Sequence, residues 1–312
     1  NADGSIAWWE LAVTTGRLLK NPQRIDDEAP YARMKTVTGK DEVIVKAYTC
    51  GNGSVDYVIL TESGKVFTWG NNKKGHVGNS WNNQEGTAEL NKNAQEITKA
   101  NAYHVTGRPE FAGRTIKQLS MDYATVVVID DRGTVWSWGS NANGRIGNGK
   151  AAGNPWQANS EDTATPFRAF GPGSENSPSK KGHYVMTSAT YGVVILTTDN
   201  ELFAWGASSR YLAGLNSPSY RPIEVFENIT TQETIIQVCG PSNSTFVNTL
   251  SGNNYFAGDA ILSGTGQTSG TIAKPEKTEQ ANLPPTKPQS TNRIYTTIKT
   301  TTDDGTPIEY AA

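Results

Sequence analysis

Three histidines, His76, His104 and His183, are the side chains of this chain best suited to acid–base or metal chemistry. A metal site gathers such a residue with cysteines, carboxylates or a second histidine at close spacing. None of the three has a partner of that kind at helical spacing, and they lie 28 and 79 residues apart in sequence. Adjacent carboxylates occur at Asp26-Asp27, Asp130-Asp131 and Asp303-Asp304. Two of these pairs run into a glycine, in Asp130-Asp131-Arg132-Gly133 and Asp303-Asp304-Gly305. Aspartate is favoured there for local hydrogen bonding in turns, which predicts a structural role. No phosphate-binding Gly-Lys-Ser/Thr loop and no nucleophile elbow is present. No catalytic residue, cofactor or metal is therefore expected, and the chain reads as non-enzymatic.

The two cysteines, Cys50 and Cys239, are too few for a disulfide framework in 312 residues. The formal net charge of −2 provides no basic surface for nucleic acid. No apolar run approaches the roughly 18–20 residues that span a bilayer. Charged residues make up only 19%, and the polarity comes instead from Asn, Thr, Ser and Gly. That mixture favours strands and turns over helices.

A repeated unit supplies the strands. Its first clear copy is Tyr57-Val58-Ile59-Leu60, the turn Glu62-Ser63-Gly64, and Val66-Phe67-Thr68-Trp69-Gly70. The second runs from Val126 to Ile129, turns at Asp130–Gly133, and ends Val135-Trp136-Ser137-Trp138-Gly139. The third runs from Val193 to Leu196, turns at Asp199-Asn200, and ends Leu202-Phe203-Ala204-Trp205-Gly206. A weaker fourth has Phe246-Val247, Ser251-Gly252 and Tyr255-Phe256-Ala257-Gly258. The closing glycines are 69, 67 and 52 residues apart, and each is followed eight positions later by another glycine, Gly78, Gly147, Gly214 and Gly266. Such a glycine is expected at positive φ or in close contact with a neighbour. Partial copies stand at Gly4–Trp9 and Asp303–Tyr310. An isolated hairpin is marginal in water, and radial stacking of small sheets buries their faces. The aromatic before each glycine then packs between blades.

These residues resemble the repeats of the regulator of chromosome condensation (RCC) family. Asn143-Gly144-Arg145-Ile146-Gly147-Asn148-Gly149 is the best match to that family's loop, Asn72 to Asn79 is similar, and Cys50-Gly51 and Cys239-Gly240 stand at its Cys-Gly position. Ser120-Met121 and Ala189-Thr190 depart from it. The resemblance implies an all-β fold, a β-propeller of RCC-type repeats, in a family that commonly has seven blades. With four good copies here, and Asn1 falling inside a repeat unit, the expectation is a segment of a longer chain. Because the two cysteines sit in different blades at equivalent places, both are expected to be unpaired.

The blades are assigned to residues 1–270, a Pro-containing linker or arm to 271–293, and a further partial repeat to 294–312. Two insertions interrupt the blades. Residues 79–115 include Glu85–Ala100, expected as a short helix, and residues 148–183 read as a long loop. Trp81 and Trp156 lie in these insertions and are candidate interface residues. The alternative is that each pins its loop to the propeller. Lys73, His76, Arg145 and Arg210, in the loops after the aromatic–glycine steps, complete the candidate binding set. His76 stands where other copies carry Arg145 and Leu212, a variability that argues against catalysis. The leading expectation is a non-enzymatic scaffold that binds other proteins, copies of itself or neighbours in a large assembly. A virion, a bacterial surface or an extracellular setting is favoured. The alternative, implied by the resemblance, is guanine-nucleotide exchange on a small GTPase, which works by differential binding and needs no nucleophile.

Overall fold

The computed structural model describes residues 7–8, 11–12, 17–18, 23–24, 43–51, 55–70, 72, 74–80, 103–122, 124–151, 162–188, 192–206, 219–239, 244–259 and 271–277. All belong to one compact unit, Asn1–Thr278. Four two-residue strands come first: β1 (Ala7–Trp8), β2 (Leu11–Ala12), β3 (Arg17–Leu18) and β4 (Gln23–Arg24). They form the ladders β1–β4 and β2–β3.

Four antiparallel sheets of four strands follow, each a simple meander. Blade one is β5 (Ile44–Gly51), β6 (Val55–Thr61), β7 (Val66–Gly70) and β8 (Tyr103–His104). Blade two is β9 (Ile116–Asp122), β10 (Thr125–Asp130), β11 (Val135–Gly139) and β12 (Thr163–Phe170). Blade three is β13 (Gly182–Ser188), β14 (Gly192–Thr197), β15 (Leu202–Gly206) and β16 (Ser219–Val225). Blade four is β17 (Ile235–Cys239), β18 (Ser244–Thr249), β19 (Asn254–Asp259) and β20 (Thr271–Lys277). First strands neighbour one another, β9 lying beside β5 and β13, so strand one is innermost and strand four outermost. Among the described residues the sole α-helix is one turn, α1 (Glu227–Thr230), and no helix is long and apolar enough to cross a membrane. The all-β propeller expected from the repeats is the observed fold.

The blades share no single core. Side chains alternate faces along a strand, so an unbroken apolar run serves two neighbours. In β10, Val126 and Val128 pack toward blade one with Val58, Leu60 and Val66. Val127 and Ile129 pack toward blade three with Val193, Ile195 and Phe203. A third layer joins Val194, Leu202 and Ala204 to Val238, Val247 and Ala257.

The fourth strands were not legible as repeats. Residues 148–183, expected as a loop, contain β12, and 79–115 contain β8 followed by two 3-10 turns, Val105–Gly107 and Pro109–Phe111. Residues 271–277, expected to begin a linker, form β20. The expected helix at Glu85–Ala100 and the partial repeat at 294–312 lie outside the described residues. The reason for the miss is proline. Pro166, Pro222 and Pro275 each precede the residue paired with the one two before the closing glycine: Phe167 with Ser137, Ile223 with Ala204, Glu276 with Phe256. In each ladder the register shifts just there. Proline is tolerated at an edge-strand bulge, where no ladder donor is lost. In the first partial copy the sequence likewise sets a proline directly ahead of Gln23, which pairs with Trp8.

The cysteine alignment is corrected by register. Cys50 pairs with Asp56, which faces Gly70, whereas Cys239 pairs with Phe246, which faces Phe256. The two are therefore two residues out of phase. Cys239 is a free thiol whose pKa is raised by burial.

The second-to-third strand turns form one rim. Asp130 has the structural role that its place in the turn predicts: its Oδ1 accepts the N–H groups of Arg132 and Thr134, both at 2.9 Å, and its Oδ2 accepts from Trp136 Nε1 and Arg114. Gly133 has φ +81°, and its carbonyl takes the N–H of Gly182 in the next blade at 2.8 Å. Gly64 does the same for Ile116 at 2.9 Å. In blade three Asn200 replaces glycine and uses its side chain, Oδ1 accepting from Ile235 N at 2.7 Å. In blade four, Glu233 clamps the turn instead, accepting from Thr249, Ser251, Asn253 and Tyr255.

A Cβ at Gly133 would stand 2.7 Å from Lys181 Cβ, whereas at Gly252, φ +85°, it would meet nothing within 4 Å. Gly252→Ala should cost only the left-handed strain, about 1–2 kcal/mol. Gly133→Ala should cost that plus about 1–3 kcal/mol of overpacking, read as a larger drop in urea midpoint. The hydroxyl and amide donors around Glu233 hold its carboxyl down at about 2, and Glu233 pushes the Tyr255 phenol up to about 12. The carboxyl is depressed from 4.5, so its stabilisation should be full above that pH and fade as pH falls toward 2. The phenol is raised from 10, so its share should be full below pH 10 and fade toward 12. Thermal melts of wild type and Glu233→Gln should converge at the acid end.

Candidate protein-binding rim

Each third strand ends, and each fourth strand begins, at the opposite rim: Gly139 pairs with Thr163, Gly206 with Ser219, and Asp259 with Thr271. The connections 140–162, 207–218 and 260–270, and by the same meander 71–102, therefore leave from and return to one rim. Their lengths exceed the four-residue turns of the other rim, and loops carried on a rigid scaffold are where recognition usually resides.

The bases of two of these loops are built alike. Asn72 Oδ1 accepts the N–H of Val77 at 3.0 Å, and Asn141 Oδ1 that of Ile146 at 3.0 Å. Asn72 and Asn141 also donate to Asn79 and Asn148, at 3.4 and 3.2 Å. A hydroxyl on the third strand fixes the fold-back, Thr68 donating to the Val77 carbonyl at 2.8 Å and Ser137 to that of Ile146 at 2.7 Å. The loop thus returns alongside its own blade and presents the preceding carbonyl sideways.

That carbonyl meets the following blade. Trp138 Nε1 donates to His76 O at 2.6 Å, and Trp205 Nε1 donates to Arg145 O at 2.7 Å. The glycine two residues on lies under the same ring: a Cβ at Gly78 would stand 2.9 Å from Trp138 Nε1, and one at Gly147 3.0 Å from Trp205 Nε1. The conserved offset of eight residues in the repeats is thus the geometry of a latch between blades. The outer strand of the next blade covers the loop as well, Ser80 N donating to Ala164 O at 2.8 Å and Gly149 N to Tyr220 O at 2.9 Å.

The latch relocates two of the candidate binding residues. His76 and Arg145 are 0% and 2% exposed and belong to the joint, not to a free surface. His76 Nε2 lies 3.1 Å from Trp69 O, and Arg145 Nη1 is 3.9 Å from the Asp122 carboxylate. Since the bond to the neighbouring Trp uses only a backbone carbonyl, the position tolerates His or Arg. Lys73, Trp81, Trp156 and Arg210 lie outside the described residues. The packing role of Trp138 and Trp205 was legible from the repeats; their hydrogen bonds were not, because the acceptors are backbone atoms 62 and 60 residues away.

Other chemistry is sparse among the described residues. No group of three or more His, Cys, Asp or Glu is placed to hold a metal. A cleft at the tight-turn rim, lined by Lys65, His104, Arg108, Phe111 and Arg114, has its arginines engaged: Arg108 with Glu110 at 2.7 Å and Arg114 with Asp130.

Trp69 occupies the position of Trp138 and Trp205 in blade one, yet its buried Nε1 has no acceptor among the described residues. Trp138→Phe and Trp205→Phe should each strip a buried carbonyl of its donor and cost about 1–3 kcal/mol. Trp69→Phe removes no such bond and should cost less than 1 kcal/mol by the same reasoning. Urea titration of the three variants checks the ranking.

No protein-family model matches the chain. Among solved structures it is similar to human WBSCR16, with a TM-score of 0.56 and 19% identity over 76% of this chain and 52% of that one. It is also similar to Prp20p from Saccharomyces cerevisiae, with a TM-score of 0.60 and 14% identity over 90% of this chain and 60% of that one. The chain thus spans about half to three fifths of the structures it matches. At these identities the likeness establishes the architecture: the chain has the fold of an RCC-like β-propeller.

Proposed function

We propose that the chain is a non-enzymatic scaffold that binds other proteins through the loops of its long-connection rim. The observation that carries this reading is that every third-to-fourth strand connection opens on one rim, while the two described loop bases are locked into the next blade. A rigid base lets the variable remainder of each loop, which includes Trp81, Trp156 and Arg210, diverge without cost to the core, and Lys73 stands in the base itself. The Asn-, Thr-, Ser- and Gly-rich composition suits a setting in a particle or on a cell surface. A tagged chain, incubated with extract of its source, should retain a partner. Trp81→Ala or Trp156→Ala should weaken that retention about tenfold, as loss of an aromatic anchor does. Glu62→Ala, on the opposite rim, should leave it unchanged. Retention indifferent to both tryptophans would overturn the reading.

A second reading, guanine-nucleotide exchange on a small GTPase, draws on the similarity to Prp20p, whose structure was described with its binding to Gsp1p and histones. It predicts faster release of fluorescent guanine nucleotide from a GTPase; no acceleration across a panel of small GTPases removes it.

A further inference from the structure

The chain between blades one and two, residues 105–115, is shaped by three successive turns. Arg108 N donates to Val105 O and Ala112 N to Pro109 O, both at 3.1 Å, closing the two 3-10 turns. Arg114 N then donates to Phe111 O at 3.0 Å, with Ala112 at φ −54° and ψ 124° and Gly113 at φ +65°. This is a type II turn, whose third position favours glycine. The segment is pinned to its surroundings. Thr106 Oγ1 accepts from Val66 N at 3.1 Å, Arg108 Nη1 reaches Gly78 O at 3.0 Å, and the Phe111 and Trp136 rings lie 4.7 Å apart. Between this segment and the hairpin turn at Ser63–Lys65 lies the tight-turn cleft, about 320 Å³ in volume. Small-ligand sites start at roughly 300 Å³.

The cleft's carbonyls are taken, while several of its donors are not. Gly64 O accepts from Ile116 N and Lys65 O from Thr61 N, both at 2.9 Å. Gly113 O accepts from Arg132 Nη2 at 3.1 Å, and Thr115 O from Asp131 N at 2.8 Å. By contrast, the N–H of Gly113 and the N–H and hydroxyl of Thr115 donate to nothing among the described residues. Arg114, between them, uses only Nη1, on Asp130 and on Thr134 Oγ1 at 3.1 Å, which leaves Nε and Nη2. Asp130 has no lone pair to spare for these, since it also accepts from Arg132 N, Thr134 N and Trp136 Nε1. The lining includes Lys65, Arg108 and Arg114 and no carboxylate. Such a surface asks for a ligand rich in acceptors and negatively charged.

We propose that this cleft binds the phosphate group of a small organic phosphomonoester. The unused donors belong to three consecutive residues, Gly113, Arg114 and Thr115, and a phosphate presents three strong acceptor oxygens to them. A guanidinium with N–H groups to spare holds such an oxyanion by charge-assisted bonds, and Lys65 adds positive charge from the hairpin turn. The cleft has room beyond the oxyanion, and Pro109 and Ala112 line it with apolar surface for the organic part. Because the walls are pinned, the site is formed before the ligand arrives. It stands on the rim opposite the long connections and does not rest on the reading of those loops.

Isothermal titration calorimetry of the purified chain at low salt tests it, with O-phosphoserine, inorganic phosphate and acetate as probes. Phosphoserine should saturate one site per chain. Acetate, with less charge and fewer acceptors, should bind at least about tenfold more weakly. Lys65→Gln and Thr115→Val should each raise the phosphoserine dissociation constant about three- to tenfold, as loss of one bonding group does. Thr115→Val keeps the side-chain shape and removes a hydroxyl that bonds nothing among the described residues, so its urea midpoint should match wild type. Lys181→Gln changes the counterpart of Thr115 in the next joint and should leave binding unchanged. Absence of saturable phosphoserine binding overturns the proposal, as does binding indifferent to both cleft variants. Acetate as tight as phosphoserine overturns the phosphate assignment, and inorganic phosphate tighter than phosphoserine overturns the organic part. None of these failures touches the loop-rim reading, whose test uses other residues.

Discussion

A four-stranded blade has two apolar faces and no means of burying either alone. That constraint governs the structure. Val126 and Val128 need blade one, Val127 and Ile129 need blade three, and the same division recurs along β14. The molecule is therefore a series of layers, and its stability resides in the joints between blades rather than within any one sheet.

The joints add direction to this non-directional burial. At one rim a tryptophan N–H reaches back to a loop carbonyl; at the other a strand-start N–H reaches back to a turn. Each blade thus grips its predecessor at both ends, which sets the angle between layers that apolar contact leaves free. The third-to-fourth joint departs from the pattern. Ala257 stands where Trp138 and Trp205 donate, so that joint lacks an indole donor. Asn200 strengthens it at the other rim, adding bonds to Thr230 O at 3.0 Å and Glu233 O at 2.7 Å.

The same division explains where recognition can evolve. Side chains at His76 and Arg145 are free to change because the latch uses their backbone, yet they are buried and offer nothing to a partner. The tight-turn rim is short and engaged blade to blade. The long connections are the part of each unit not bound by either requirement, and they hold the candidate tryptophans.

The sequence by itself determined the strands that carry apolar runs, their hairpin turns, the aromatic–glycine closure and hence the propeller, because these depend on period-two patterning and local turn chemistry. It also marked Gly78 and Gly147 as special by their fixed offset. Tertiary structure decided what local pattern cannot encode. The outer strands β12, β16 and β20 carry proline and few apolar residues, since an edge strand has only one ladder to satisfy, so β12 read as loop, β20 as linker, and β16 gave no strand signal. Cys50 and Cys239 look equivalent by sequence but differ by two residues in register, because Cys50 stands farther along its first strand from Ile44 than Cys239 does from the equivalent Ile235, and only the strand pairing fixes those starts. His76 and Arg145 look like exposed loop residues, but the acceptor that buries them belongs to the main chain and its donor to the next blade, a relation that exists only once the blades are stacked.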